Sequence, residues 1–218
     1  MTVAAVLVAG GSGVRLGADV PKAFVTVAGR TLLEHAADRF SAHPGVACCV
    51  VVVPEGWLDK AAALCATPVV VGGLTRQDSV DSGLRALPAG IETVLVHDVA
   101  RPFVPAAVID RVLAGLAGGA DAVVPALPVT DTIKQVATDG TVVATVERGT
   151  LVAVQTPQGF RRAVLVAAHL AAPDATATDD AGLVERAGGR VVVVAGDEAA
   201  FKITTPRDLL LAEAIAGG

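Results

Sequence analysis

Residues Leu7 to Lys22 read LVAGGSGVRLGADVPK, and the rest of the chain is organised around this stretch. It continues an apolar run from Val3 to Val8, which reads as a buried parallel strand, and then breaks into Gly10, Gly11, Gly13 and Gly17. Glycines let backbone N–H groups close on an anion and adopt φ > 0, so a glycine-rich turn after a first strand is a natural phosphate cradle. Arg15 and Lys22 add positive charge within and just after it. A dinucleotide fingerprint does not fit, because the third glycine comes one place late, at Gly17. Nor does a Walker A loop, because Lys22 follows Pro21 and precedes Ala23. Pro21 biases Val20 towards extended backbone and keeps the loop open. On spacing alone, a plain glycine turn stands beside the phosphate reading.

Downstream, strand and helix patterns alternate. Thr31 and Glu34 make a capping box for a helix to Phe40, with Leu32, Leu33, Ala36, Ala37 and Phe40 as its apolar stripe. Strands are expected over Val46 to Val53, Val69 to Val71, Thr93 to Val96, Ala122 to Pro125, Arg190 to Val194 and Phe201 to Ile203. Helices are expected over Trp57 to Cys65, from the Thr75 cap to Leu87, from Pro105 to about Leu116, near Arg161 to Leu170, near Asp179 to Ala187, and after Thr205. This alternation predicts an α/β fold with a mostly parallel sheet and helices on both faces. Residues 130–148 depart from it. Thr132 to Val136 and Val142 to Val146 flank Thr138-Asp139-Gly140, a hairpin signal. An isolated hairpin is marginal in water, so this arm is expected to pack on something, such as a second subunit. The expectation is one domain over 1–218 carrying one protruding arm.

Composition bounds the partners. With 218 residues, 53% hydrophobic and 18% charged, the chain suits one well-buried domain. A net charge of -5 leaves no electrostatic footprint for nucleic acid, and no Lys/Arg run suits an anionic membrane. The N-terminus lacks a signal-peptide pattern and no apolar run approaches a membrane span, so the expected location is cytoplasmic. Cys48, Cys49 and Cys65 have no zinc spacing and read as core thiols.

Open α/β sheets bind ligands beyond the carboxyl ends of their strands. There, Val94-Leu95-Val96 runs into His97-Asp98 and then Arg101-Pro102. Asp98 suits Mg2+, which takes one or two carboxylates and completes its shell with water and substrate phosphates. The alternative is a turn-capping Asp98 paired with Arg101. The chain has four lysines against thirteen arginines, so Lys22 at the glycine-loop exit and Lys202 in the turn before Thr205-Pro206 draw notice. Lys60, on a helix, reads as a solvent-facing charge.

In order along nearly the whole chain stand Ala-Gly-Gly-Ser-Gly with Arg15, Pro21-Lys22, Gly72-Gly73 with Arg76 and Asp78-Ser79, and His97-Asp98 with Arg101-Pro102. Asp131-Thr132, Arg148, Thr156-Pro157-Gln158, Thr178-Asp179-Asp180 and Lys202-Ile203-Thr204 follow. Together they resemble the 2-C-methyl-D-erythritol 4-phosphate cytidylyltransferases of the non-mevalonate isoprenoid route. The resemblance implies a Rossmann-like nucleotidyltransferase fold and Mg2+-dependent transfer of CMP from CTP to a polyol phosphate, releasing pyrophosphate. It implies Arg15, Lys22 and Lys202 as catalytic cations, Asp98 as the metal ligand, and Ala9, Gly10, Gly11, Gly13, Gly73 and Ser79 around the nucleotide. Arg101, Thr132, Arg148, Thr156 and Thr178 are implied for the polyol phosphate, with Thr132 and Arg148 crossing on the arm within a homodimer. Leu74 stands where the family often has an acidic residue. The chain stops one helix beyond Lys202, so no fused cyclodiphosphate synthase is expected.

Two rivals stay open on sequence. One is a ribitol 5-phosphate cytidylyltransferase, since only the Arg148 to Thr178 region meets the polyol. The other is a catalytically inactive nucleotide-binding protein, which would be expected to lose Arg15, Lys22, Asp98 or Lys202; all four are present. Without the resemblance, Arg148 reads as an ordinary charged end to a β-arm.

Overall fold

A computed structural model of the chain describes residues 1–11, 13, 16–17, 19–172 and 178–217. Among these, eight strands form one sheet. The first, β1 (Val3–Val8), is flanked by two parallel partners: β4 (Cys48–Val53) on one side and β6 (Thr93–Asp98) on the other. Short strands β2 (Thr26–Val27) and β3 (Arg30–Thr31) form a separate turn, and β5 (Val69–Val71) extends the sheet beyond β4. The chain therefore winds outward from β1 through β4 and β5, then returns to β1's other side at β6. That reversal opens a crevice at the carboxyl ends of β1, β4 and β6.

Alternation along the buried strands feeds two cores. Leu7, Val51, Val53 and Leu95 face α1 (Leu32–Ser41), α2 (Leu58–Leu64), α4 (Ala106–Ala117) and α7 (Pro206–Gly217). Val6, Val52, Val94 and Val96 face α3 (Arg76–Ala86), α5 (Arg162–Ala171) and α6 (Asp180–Arg186). The expected two-faced α/β layering is present. Thr31 and Glu34 form the expected capping box, and the whole expected stripe of α1 is buried.

Past β6 the sheet departs from the expected rhythm. The strand β7 (Ala122–Pro128) pairs in parallel with β12 (Val191–Ala195). Along its other side run two antiparallel strands the sequence reading did not contain, β10 (Val152–Val154) and β11 (Gln158–Arg161), and β11 also pairs with β6. A Cβ on Gly159 would lie 2.4 Å from Val112 Cγ1. That glycine is where α4 presses onto the sheet, not where the chain turns.

The strand expected over Phe201 to Ile203 is absent. Glu198–Ala200 forms a 3-10 turn capped by Asp197, and Asp208 Oδ2 accepts the backbone N–H groups of Thr204 and Thr205. With both ends so fixed, the segment makes a single cross-link, Ile203 N to Ala100 O at 2.8 Å, and no ladder.

The hairpin is present as β8 (Ile133–Val136) and β9 (Val142–Val146), a two-stranded sheet of its own. Gly140, at φ 85°, supplies the left-handed turn residue. Val136, Val142 and Val143 on the arm are exposed.

Candidate active site

Ala9 continues β1 into the crevice, its N–H bound to Val52 O at 2.8 Å. Beyond it, Gly10 and Gly11 line a cavity of about 270 Å3 shared with Lys22, Gly73, Leu74, Arg76, Ser79, Asp98 and Lys202. The Lys22 N–H donates to Gly11 O at 2.9 Å, and Pro21 opens a 3-10 turn over Lys22–Phe24. This pulls Lys22 against the loop, where it is 7% exposed. Gly13 holds φ 75°, a conformation that suits glycine. Arg15 lies outside the described residues.

The opposite wall is the loop entering α3. A Cβ on Gly73 would meet Asp78 Cβ at 2.2 Å, so only glycine lets this loop close on the helix start. Thr75 and Asp78 form a reciprocal capping box there. Buried Ser79 donates to Thr75 O at 3.0 Å and sits close to both Gly10 and Gly72. Leu74 is fully exposed at the cavity mouth.

Asp98 closes the floor between two cations. Its Oδ2 lies 2.7 Å from Lys202 Nζ and its Oδ1 3.4 Å from Arg76 Nε. Burial pushes this carboxyl up, but Arg76 and Lys202 outweigh burial and hold it well below the usual carboxylate range. Lys202 reaches this point because Ile203 N–H binds Ala100 O, while Arg101 Nη1 holds Ala200 O at 2.7 Å.

Beneath Asp98, its backbone N–H donates to Thr156 Oγ1 at 3.1 Å. That hydroxyl can therefore donate to His97 Nδ1, 3.0 Å away, leaving His97 Nε2–H to donate to Arg101 O at 3.1 Å. Full burial pushes His97 down to about 4, so the ring is neutral and anchors the strand end.

Of the expected residues, Ala9, Gly10, Gly11, Lys22, Gly73, Ser79, Asp98 and Lys202 share one cavity. Thr156 sits behind it with its hydroxyl occupied by Asp98 and His97. The Arg101 guanidinium ties β6 to Ala200 O and Val154 O, and its buried Nε has no hydrogen-bond partner among the described residues. Thr132 is exposed beside the arm, Arg148 binds Thr130 O at the arm's base, and exposed Thr178 precedes α6. Arg76, absent from the expected site, lines the cavity. Its signal lay in the first helical position after the Thr75 cap.

A family model described as 2-C-methyl-D-erythritol 4-phosphate cytidylyltransferase matches residues 3–217. The chain belongs to that family. A cytidylyltransferase of this name from Streptomyces avermitilis is 51% identical over 227 residues, covering 97% of this chain and 90% of that one. One from Nocardia farcinica is 51% identical over 219 residues, covering 98% and 94%. The crystal structure of the Thermus thermophilus enzyme of the same name superposes with a TM-score of 0.82 at 40% identity, with both chains covered in full. As a member of the family, the chain is a cytidylyltransferase that moves CMP from CTP to 2-C-methyl-D-erythritol 4-phosphate. Among the described residues, no helix is long and apolar enough to cross a membrane.

One carboxylate in the cavity lining matches the habit of Mg2+, and among the described residues no group of three His, Cys, Asp or Glu side chains competes for it. The low-lying Asp98 carboxyl stays anionic throughout the neutral range. An ionised carboxylate is a donor that suits a hard cation carried in by phosphate, and Lys202 and Arg76 are its partners here.

Proposed function

We propose that the cavity between the glycine loop and α3 takes CTP, and that Lys22, Lys202 and Asp98 organise attack on its α-phosphate. The observation that carries this reading is the convergence of two lysines and one carboxylate, drawn from opposite ends of a lysine-poor chain, beside the Gly10-Gly11 turn. Both reactants are anions, so the barrier lies chiefly in bringing them together in line and stabilising the charge that builds in the transition state. Lys22 and Lys202, with Arg15 from the same loop, offset that repulsion. Preorganised cations of this kind reduce the barrier most where water is excluded, and the burial of Lys22 supports such a role.

Ala9, Gly10, Gly11 and Gly13 meet the nucleotide with backbone groups, and Gly73 and Ser79 bound the part of the cavity that takes its base. Asp98 holds Mg2+, which when bound neutralises phosphate oxygens. Lys202 and Arg76 keep Asp98 ionised and oriented before either substrate arrives.

Polyol-phosphate recognition falls to Arg101 and Thr178, joined by Thr132 and Arg148 from the arm of a second copy, while Thr156 serves it from behind by holding the backbone of Asp98 and the His97 ring. Support for an arm that reaches a partner comes from its exposed valines and its isolation as a two-stranded sheet. In this reading 1–218 is one domain with 130–148 as its arm, and the protein works as a cytoplasmic homodimer, where its ionic substrates are found.

The test is pyrophosphate release from CTP with methylerythritol 4-phosphate and ribitol 5-phosphate supplied separately, with and without Mg2+. Release with the first substrate, dependent on Mg2+ and lost in Asp98→Asn, is expected. Preference for ribitol phosphate, or full turnover by Asp98→Asn, would overturn the corresponding part.

A further inference from the structure

Charge in the cavity does not end at its wall. The Arg76 guanidinium that reaches Asp98 through Nε also donates through Nη1 to Asp180 Oδ2. Asp180 Oδ1 lies 2.9 Å from His169 Nε2, and His169 Nδ1 lies 2.8 Å from Asp81 Oδ1. An unbroken row thus runs from Lys202 through Asp98, Arg76, Asp180 and His169 to Asp81. It joins the end of β6 to α3, α6 and α5.

The row has a definite charge pattern. Both ring nitrogens of His169 face carboxylate oxygens, and only an imidazolium donates at both. Burial pulls this ring down, but Asp180 and Asp81 outweigh burial and raise it above the ordinary histidine value. Asp180 is 1% exposed, so its charge depends on protein partners, and among the described residues these are Arg76 and His169. His169 satisfies one oxygen and offsets part of the charge, leaving Arg76 shared between Asp180 and Asp98. Without His169, the bare carboxylate draws the guanidinium inward, away from the cavity.

We infer that His169 and Asp180, neither of which lines the cavity, are positioning residues for the transfer reaction, holding Arg76 where it orients Asp98. The inference rests on the reading of Asp98 given above. Gln158 fixes the remaining geometry: its Nε2 donates to Asp179 Oδ2 and its Oε1 accepts from Ala181 N, pinning the start of α6 to β11. Asp180 therefore cannot follow Arg76 outward.

The experiment is a kinetic double-mutant cycle between His169→Leu and Arg76→Lys, with melting temperatures measured in parallel. Removing the group that orients a metal ligand costs about tenfold or more, and His169→Leu, two links further out, is expected to lower kcat by up to about tenfold while the KM for the polyol phosphate stays put. His169→Gln, which restores a neutral donor to Asp180, recovers part of the loss. In the Arg76→Lys background the His169 substitution adds no further loss of kcat, although its effect on melting persists. Equal losses in both backgrounds, or an unchanged kcat, overturn the inference. If His169→Leu does not fold, His169→Gln completes the same cycle. Asp98→Asn is assayed alongside. An active Asp98→Asn removes the foundation, whereas an inactive one with an additive His169 cycle removes only this inference.

Discussion

At the scale of single residues, the site is a problem of opposed charges held close at the wall of one cavity. Lys22 is buried at the cavity wall, its backbone N–H bound to Gly11 O. Replacing it by Ala removes a fixed cation from the reacting phosphorus. The expected cost is about 3 kcal/mol of barrier, more than a hundredfold in kcat, with the melting temperature little changed. Near-normal turnover by Lys22→Ala would sink its role. His169 carries a second prediction. Its native value is raised, so its stabilising contribution is complete below the unfolded value near 6.5 and is lost as pH rises through the higher native one. The stability gap between the native chain and His169→Gln, read from urea midpoints, is therefore at its full size below the unfolded value of about 6.5 and narrows towards alkaline pH. A gap that stays flat or widens would show that His169 is not held as the imidazolium by Asp81 and Asp180. That Lys22, Asp98 and Lys202 would gather at one crevice was legible in the sequence because Asp98 ends an apolar strand, Lys22 leaves the glycine loop, and the chain has only four lysines. His169 was not. A histidine on the apolar helix α5 carries no local mark of its partners, which lie 88 and 11 residues away.

At the scale of elements, legibility followed the kind of physics that defines each one. Capping is local, so Thr31 with Glu34, and Thr75 as a helix start, could be read directly. The strands β10 and β11 are defined by what lies beside them, and the residues Pro157 and Gly159 point locally the other way. The segment expected as a strand from Phe201 to Ile203 was apolar enough but short, and Asp197 and Asp208 capture its ends before a ladder can form. Helix α3 shows how an interior glycine can serve packing. A Cβ on Gly83 would stand 2.4 Å from Val6 Cγ1 and 3.0 Å from Val52 Cγ2, both in strands that end at the site. Gly83→Ala gains helix propensity but overpacks that contact. The net expectation is a loss of about 1–3 kcal/mol in denaturant unfolding, with CTP affinity falling as α3 lifts from the glycine loop. A stabilised variant would mean the helix can shift without strain.

At the scale of the whole molecule, the open question is what the arm is for. A two-stranded ribbon with exposed Val136, Val142 and Val143 gains little by folding on itself, and it carries Arg148 at its base and Thr132 beside it. Neither residue lines the cavity that holds Lys22, Asp98 and Lys202. If each arm completes the other copy's site, a dimer should separate the two sets of residues genetically. Arg148→Ala is expected to raise the KM for the polyol phosphate at least tenfold, a loss typical of removing one partner from a charge-assisted contact, with CTP affinity nearly unchanged. Lys22→Ala should be almost inactive with its arm intact. Mixing the two after subunit exchange yields heterodimers in which one site has both a native Lys22 and a native Arg148 from the partner's arm. Activity at low polyol-phosphate concentration should therefore rise above that of either parent, towards half the native level per heterodimer. No rise, with exchange verified by tagged pull-down, would place Arg148 in service of its own chain's site, because only sharing between copies lets two defective chains build one sound cavity.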